Sequence, residues 1–181
     1  MKLLIGSDIH GSAFYCKKLI KAFLNEKAEK ILLLGDILYH GPRNDLPCGY
    51  NPKEVIQILN EYKDLIFAVR GNCDTEVDQM VLEFPVLADY ALFSDGKADI
   101  FATHGHKFNC DCLPTVKSGS VVVYGHTHVP LYKEVNGIKC INPGSVSIPK
   151  EDSWNGYILY ENGIFIWKDF DGNVKMEHSV K

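Results

Sequence analysis

The chain has 181 residues, of which 46% are hydrophobic, and we expect one globular domain over residues 1–181 with a substantial core. A formal net charge of -4 argues against a broad basic surface, so no stable nucleic-acid complex is expected. The apolar start is interrupted at Asp8, and no apolar segment approaches the ~20 residues that span a bilayer. We therefore expect a cytoplasmic protein with no membrane contact, whose six scattered cysteines stay reduced.

The first half of the chain alternates between predicted strands and helices. Residues 2–6 form a short apolar run, and residues 12–27 follow with helical spacing of apolar side chains. A second strand is predicted over Ile31–Leu34, a helix that opens at position 52 or 53, and a third strand over Leu65–Val69. This β-α-β-α-β order predicts a parallel sheet with right-handed crossovers.

After residue 80 the pattern changes to hairpins. Three pairs of apolar runs flank turn-forming segments at 94–96, 136–137 and 161–163, and each segment contains glycine. An α/β fold accommodates both halves of the chain: a single-domain, two-sheet α/β sandwich with flanking helices.

Five of the apolar runs end in residues that bind metals. If each run is a strand of one sheet, these side chains emerge together at the carboxyl ends of the strands, where open α/β sheets place their ligand sites. Within the pairs two residues apart, an extended backbone would project both side chains to the same side. The residues are Asp8 and His10, Asp36, Asn72, His104 and His106, and His126 and His128.

The donor types indicate transition metals. For any single histidine a hydrogen-bonded structural role is an equal alternative, but five such clusters in one domain favour a metal site. Imidazole favours zinc, iron, manganese, cobalt or nickel over calcium and magnesium. Of these eight residues, His106 is taken as adjacent to the site, and the remaining seven ligands exceed the capacity of one four-coordinate ion. A carboxylate that bridges two ions would distribute them.

The ordered motifs SDIHG, LLGD, RGNCD, THGH and YGHTH span residues 7–128 and resemble the calcineurin-like metallophosphoesterase superfamily. The loop HGPRNDLPCGYNP and the stretch INPGS look more narrowly like the small bacterial YfcE-type phosphodiesterases. The resemblance implies the superfamily's sandwich fold and two divalent transition-metal ions, with manganese as the first candidate and zinc, iron, nickel or cobalt as alternatives. It also implies in-line attack on phosphorus by a hydroxide between the ions. One ion would be held by Asp8, His10, Asp36 and His128, and the other by Asp36, Asn72, His104 and His126.

A charge count favours small or nucleotide-like phosphodiesters as substrates. Two divalent cations, two aspartates and one hydroxide leave about one positive charge, which a diester monoanion neutralises. Monoesters are not excluded by this count. The expected enzyme is a phosphoric diester hydrolase with a small-molecule phosphodiester as its partner.

The catalytic residues carried over by resemblance are Asp36 and Cys73. Many relatives have a histidine, the proposed proton donor to the leaving group, where this chain has Cys73. A neutral thiol is a weak hydrogen-bonding acid, and space filling is an equal alternative. His40, Arg43 and His106 are the candidates for contact with the substrate phosphate, although a solvated loop position is the simpler alternative for Arg43.

Two other functions are compatible with the same motifs. One is a catalytically silent scaffold like the retromer subunit Vps29, which has the fold but has lost ligand residues. The other is a nuclease, although this chain has neither an added DNA-binding domain nor a basic stripe. A homo-oligomer is an open expectation, for which Tyr15, Phe84 and Phe93 are candidate contacts, with core packing as the alternative.

Overall fold

The computed structural model describes residues 1–180, and its first half follows the predicted alternation. Strands β1 (Lys2–Gly6), β2 (Lys30–Leu33) and β3 (Ile66–Ala68) are separated by helices α1 (Ala13–Glu26) and α2 (Pro52–Asn60). The cap of each helix explains where it begins: the backbone N–H of Tyr15 donates to Ser12 Oγ at 3.2 Å, and that of Glu54 donates to Asn51 Oδ1 at 3.3 Å. A 3₁₀ turn at Lys63–Leu65 and a four-residue helix, α3, at Glu76–Gln79 complete this half.

The second half of the described chain consists of strands. They are β4 (Tyr90–Ser94), β5 (Asp99–Thr103), β6 (Val121–Val123), β7 (Pro130–Val135), β8 (Ile138–Pro143), β9 (Gly156–Glu161), β10 (Ile164–Asp169) and β11 (Val174–Ser179). The three predicted hairpins are all present. Strand β11 was not predicted from the sequence, because its exposed residues make its run mostly polar.

The strands form two sheets, and the metal-binding runs are divided between them. The first sheet has the order β11-β10-β9-β1-β2-β3, and the second has the order β4-β5-β6-β8-β7. The neighbours β1, β2 and β3 are parallel to one another, and so are β5 and β6. The hypothesis that all five runs share one sheet is therefore wrong, whereas the two-sheet α/β sandwich is confirmed.

Three apolar clusters fill the sandwich. The inner faces of the two sheets pack on each other, with Trp167 and Phe165 fully buried between them. Helices α1 and α2 cover the outer face of the first sheet. The outer face of the second sheet packs against side chains of the segment 108–116 rather than against a helix. None of the helices in residues 1–180 has both the length and the apolar character to cross a bilayer.

The three aromatic residues considered for an oligomer interface contribute to the cores instead. Phe84 is only 2% exposed, and Tyr15 and Phe93 are half-buried against core residues. Their positions favour the core-packing alternative. Self-association remains a prediction, but the positions of these three residues do not support it.

Candidate metal centre

The ligand residues at the strand ends have an unusual backbone conformation. The φ angles of Asp8 (58°), His10 (48°), Asp36 (54°), His126 (65°) and His128 (63°) all lie in the left-handed region. The expectation of an extended backbone at the two-residue pairs is wrong. Each left-handed residue that is not glycine costs on the order of 1 kcal/mol, and such strain concentrates at functional sites.

One group of side chains converges where β1 meets the loop after β6. His10 Nε2 lies 3.1 Å from His128 Nε2. Oδ1 of Asp8 lies 3.2 Å from His128 Nε2 and 3.6 Å from His10 Nε2. All three side chains are buried.

A second group converges after β5. His104 Nε2 lies 3.1 Å from Asn72 Oδ1 and 3.2 Å from His126 Nδ1. Oδ2 of Asp36 reaches both groups, at 3.4 Å from His104 Nε2 and 3.8 Å from His10 Nε2. The structure thus brings together all seven predicted ligands, with Asp36 between the two halves of the set.

The hydrogen bonds of the imidazole rings show what these groups fit. In His10, His104 and His128, Nδ1 lies 2.6 to 2.7 Å from a backbone carbonyl oxygen and must donate to it. In the neutral rings Nε2 is then a lone-pair acceptor, and two acceptors 3.1 Å apart repel each other unless a cation or proton lies between them. Oδ1 of Asp8 is also buried without a hydrogen-bond partner in the described chain. The donor set therefore fits divalent cations.

The electrostatics of the site point the same way. Burial opposes ionisation of Asp8, yet the rings of His10 and His128 hold the pKa of its carboxyl well below the usual range. Burial likewise opposes protonation of His104, but Asp36 and Asp8 raise its pKa to about 9. The cluster attracts positive charge, and without a metal a proton supplies it.

Neighbouring side chains hold the ligand loops in place. Asp74, 2% exposed, accepts the backbone N–H groups of Asp36, Ile37 and Gly71 at 2.7 to 2.9 Å. This contact places Asp74 behind Asp36 as a positioning residue.

The INPGS stretch also supports the site rather than lining it. The hydroxyls of Ser145 and Ser147 donate to the backbone carbonyl of Asp8 at 2.8 and 3.1 Å, and Asn142 Nδ2 donates to the carbonyl of Gly125 at 2.7 Å. Gly125 itself leaves no room for a side chain, since a Cβ atom would lie 1.8 Å from Ser7 Oγ. These contacts fix the two strand-end loops against each other.

A cavity of about 340 Å³ opens over the ligands. Its lining includes four of the predicted ligands together with Cys73 and Arg43. His40 and His106 do not line it. The ring of His40 instead packs edge-on against Tyr39 and Tyr50, and His106 is exposed beside His104. Contact of these two histidines with substrate remains a prediction.

Cys73 lies directly beside Asp36. Its backbone N–H donates to Asp36 Oδ1 at 2.8 Å, and Asn72 Nδ2 donates to its Sγ at 3.3 Å. Burial and the negative charge of Asp36 both raise the pKa of the Cys73 thiol. The thiol is therefore neutral in the metal-free protein.

Sequence reasoning missed two residues of the cavity wall, Thr127 and Lys150. Thr127 could have been found from its position between two ligand histidines. No sequence signal marks Lys150, which comes after the INPGS stretch in a segment without a metal-ligand pattern.

Comparisons with known proteins agree with this geometry. Residues 1–162 match the model of the calcineurin-like phosphoesterase superfamily domain. The chain is 45% identical over 164 residues to the phosphodiesterase YfcE of Escherichia coli, a match that covers 91% of this chain and 89% of the relative. Its structure superposes on that of the E. coli phosphoesterase with a TM-score of 0.96 over 100% of both chains, at 41% identity. Vps29 of Cryptosporidium parvum shares the fold alone, with a TM-score of 0.61 at 19% identity over 98% and 97% of the two chains.

Proposed function

The chain belongs to the calcineurin-like phosphoesterase superfamily, and from this premise we propose that it is a dinuclear metal-dependent phosphodiesterase acting on small or nucleotide-like diesters. The prediction of a phosphodiester hydrolase is confirmed by family membership and by the identity to a phosphodiesterase. The observation that carries the finer proposal is Asp36 Oδ2, which faces His104 Nε2 on one side and His10 Nε2 on the other.

The proposed division of the side chains between two ions follows the assignment that the resemblance implies. Asp8, His10 and His128 would hold one ion and Asn72, His104 and His126 the other, with Asp36 shared. Bound divalent ions of this kind supply Lewis-acid stabilisation of phosphoryl oxygens and an activated water at neutral pH. Manganese remains the first candidate, with zinc, iron, nickel or cobalt as alternatives.

The protein's own contribution is to hold the ligand side chains in fixed orientations. Backbone carbonyls fix which ring nitrogen of His10, His104 and His128 faces the site. Cys73 occupies the position of the histidine that is the proposed proton donor in many relatives, it lines the cavity beside Asp36, and its neutral thiol carries no positive charge. We therefore propose that the enzyme favours leaving groups that depart without protonation, such as phenolates.

The two rival functions receive less support. A silent scaffold would be expected to have lost ligand residues, whereas every ligand position here holds a donor and the donors converge. The likeness to Vps29 concerns the fold alone. A nuclease would need a basic surface for its substrate, and the chain has a net charge of -4.

The test combines metal analysis with hydrolysis of bis(4-nitrophenyl) phosphate. The purified protein is stripped with a chelator, reloaded with Mn²⁺, Zn²⁺, Co²⁺ or Ni²⁺, and assayed in parallel with Asp36→Ala. We expect close to two ions per chain and metal-dependent release of nitrophenolate that the variant lacks. A protein that stays metal-free and inactive after manganese addition would support the scaffold. One ion per chain with full activity would overturn the dinuclear proposal.

A further inference from the structure

Two positively charged residues line the catalytic cavity, but only one carboxylate does. Arg43 and Lys150 both belong to its wall, while Asp36 is the only carboxylate among the lining residues. Neither cation forms an ion pair with any residue in the described range 1–180. In a chain of net charge -4, this concentration of positive charge at one cavity needs a reason.

Lys150 is held in place by the metal-ligand loop. Its backbone N–H donates to the carbonyl of His128 at 3.2 Å, and His128 Nδ1 donates to the carbonyl of Ile148 at 2.7 Å. The backbone of Lys150 is thus tied directly to His128, a ligand of the proposed ions, and the nearby residue Ile148 is tied to the same ligand. A change in its side chain should leave these backbone contacts intact.

The turn after Lys150 has a strained backbone and is closed by two hydrogen bonds. Glu151 and Asp152 are both left-handed, with φ angles of 54° and 53°. Both the backbone N–H and the hydroxyl of Ser153 donate to the carbonyl of Lys150, at 3.1 and 2.6 Å. Consecutive left-handed residues that are not glycine are unfavourable and persist where the surroundings enforce them, often at functional sites.

Arg43 is presented by a turn on the other wall. The N–H of Asn44 donates to the carbonyl of Gly41 at 3.4 Å, which closes a turn with Pro42 and Arg43 at its centre. Asn44 Nδ2 also donates to the carbonyl of His40 at 2.8 Å. Proline at the second position restricts the backbone of such a turn. Arg43 is therefore presented at the cavity by a restrained turn, and its side chain is exposed to solvent, as the loop-position alternative also expects.

We propose that Arg43 and Lys150 bind a second phosphate of the substrate, so that the preferred substrate is a phosphodiester that carries a further phosphate monoester. This inference rests on the proposed phosphodiesterase activity and names its substrate class. Bound ions would neutralise the single charge of a scissile diester, and the side chains of Arg43 and Lys150 would then be left for a phosphate dianion. A cavity of about 340 Å³ holds more than the scissile group and falls in the range of small-molecule sites.

The test uses a pair of chromogenic diesters that differ only in the distal phosphate. These are thymidine 5′-(4-nitrophenyl phosphate) and its 3′-phosphorylated derivative, assayed with the manganese-loaded protein. We expect kcat/KM for the phosphorylated diester to be about tenfold higher, mainly through KM, since Arg43 and Lys150 are both exposed and each ion pair with the phosphate should contribute roughly a factor of three.

The variants Lys150→Gln and Arg43→Gln should each reduce this preference severalfold, and Lys150→Arg should retain most of it. Lys133→Gln is the matched control, because it removes the same charge from an exposed position on β7. Its preference should equal that of the wild type. Raising the salt concentration should shrink the wild-type preference, since both cations are solvent-accessible.

Calorimetry with thymidine 3′,5′-bisphosphate and thymidine 5′-monophosphate provides a reading without turnover. The bisphosphate should bind the wild type about tenfold more tightly, and Lys150→Gln should reduce this difference to about threefold, because Arg43 remains. Hydrolysis of both diesters at equal kcat/KM would overturn the inference and leave the phosphodiesterase standing. If neither diester is hydrolysed, the proposed function fails, and the two binding constants alone decide whether the cations select a second phosphate.

Discussion

Two clusters of charged and polar side chains in this protein differ in how their hydrogen bonds are satisfied. In the first, Glu26 of α1 accepts from Lys168 Nζ and from the hydroxyl of Tyr157, the latter at 2.9 Å, so every contact joins a donor to an acceptor. In the second, the metal-ligand cluster, the lone-pair nitrogens of His10 and His128 face each other, and Asp8 Oδ1 has no hydrogen-bond partner among the described residues.

This difference separates stabilising polar groups from groups arranged for a ligand. The Glu26 cluster is complete without any addition and ties the first helix to the interior strands β9 and β10 of the first sheet. The ligand cluster has mutually repelling acceptors and strained backbone, which native proteins keep where function requires it. We expect substitutions in the first cluster to affect stability and those in the second to affect metal binding and catalysis.

The largest expected effect comes from Asp36→Asn. The substitution keeps the size of the side chain but removes the charge shared by both halves of the ligand set. Hydrolysis of bis(4-nitrophenyl) phosphate should fall about a thousandfold, because Lewis-acid stabilisation contributes several kcal/mol to the barrier. Metal content should fall in parallel, measured by elemental analysis after gel filtration. A variant with full metal content and near wild-type turnover would contradict the assignment of Asp36.

The second expected effect is a dependence of the hydrolysis rate on the leaving group. It follows from the neutral thiol of Cys73 beside the ligand cluster. Without a cationic acid there, the rate should depend steeply on leaving-group pKa. Thymidine 5′-(4-nitrophenyl phosphate) should be cleaved at least about a hundredfold faster than thymidylyl-(3′→5′)-thymidine, which releases an alkoxide from the same type of phosphorus centre. A series of substituted phenyl esters would extend the measurement. Equal rates on aryl and alkyl diesters would show that an acid is present and would rule out the proposal.

The sequence was sufficient to predict that the proposed ligand residues converge, but not to predict the Glu26 cluster. Asp8, Asp36 and His104 are recognisable because each follows an apolar run directly, and strand ends collect such residues. Glu26 and Lys168 are 142 positions apart. Their pairing depends on how β10 lies beside β9 and α1, which local spacing does not encode.

The same distinction explains the remaining errors of prediction. Whether five strands share one sheet depends on long-range pairing, and so does the existence of β11. The left-handed conformation of the ligand residues results from loops that pack against each other, as at Gly125. Lys150 lies at the cavity because of a turn that no sequence motif predicts.

Metal binding should stabilise the protein through the ligand cluster alone. At a free Mn²⁺ concentration about 100 times the Kd of each site, the free energy of unfolding should rise by about 2.7 kcal/mol per ion, or about 5.4 kcal/mol for two ions, since the ions bind only the folded state. Chemical denaturation with and without Mn²⁺ measures this increment. Glu26→Gln should show the full increment and Asp36→Asn little of it. An equal increment in all three proteins would mean that manganese binds elsewhere.

A smaller loss of stability is expected from Glu26→Gln itself. The side chains of Glu26 and Lys168 are each 17% exposed, so the ion pair is largely shielded from water. Replacing the carboxylate with a neutral amide of the same shape should cost about 1 to 2 kcal/mol, the difference between a charged and a neutral hydrogen bond. Turnover on bis(4-nitrophenyl) phosphate should stay at the wild-type level, because the cluster does not line the catalytic cavity. A change in turnover without a change in stability would contradict the separation of the two clusters.

The smallest expected effect is the pH dependence of the stability difference between the wild type and Glu26→Gln. Burial raises the pKa of Glu26, but its hydrogen bonds from Lys168 and Tyr157 outweigh burial and lower it overall. A carboxyl group with a lowered pKa in the folded state contributes its stability above the unfolded pKa of about 4.3 and loses it as the pH falls through the folded value. The stability difference between the wild type and Glu26→Gln should therefore be constant from neutral pH down to about pH 5 and shrink below that, where protonated Glu26 resembles glutamine. Urea denaturation of both metal-free proteins across this pH range isolates the contribution of Glu26, because the other carboxyl groups titrate alike in both proteins. A stability difference that grows on acidification would contradict the role given to the ion pair.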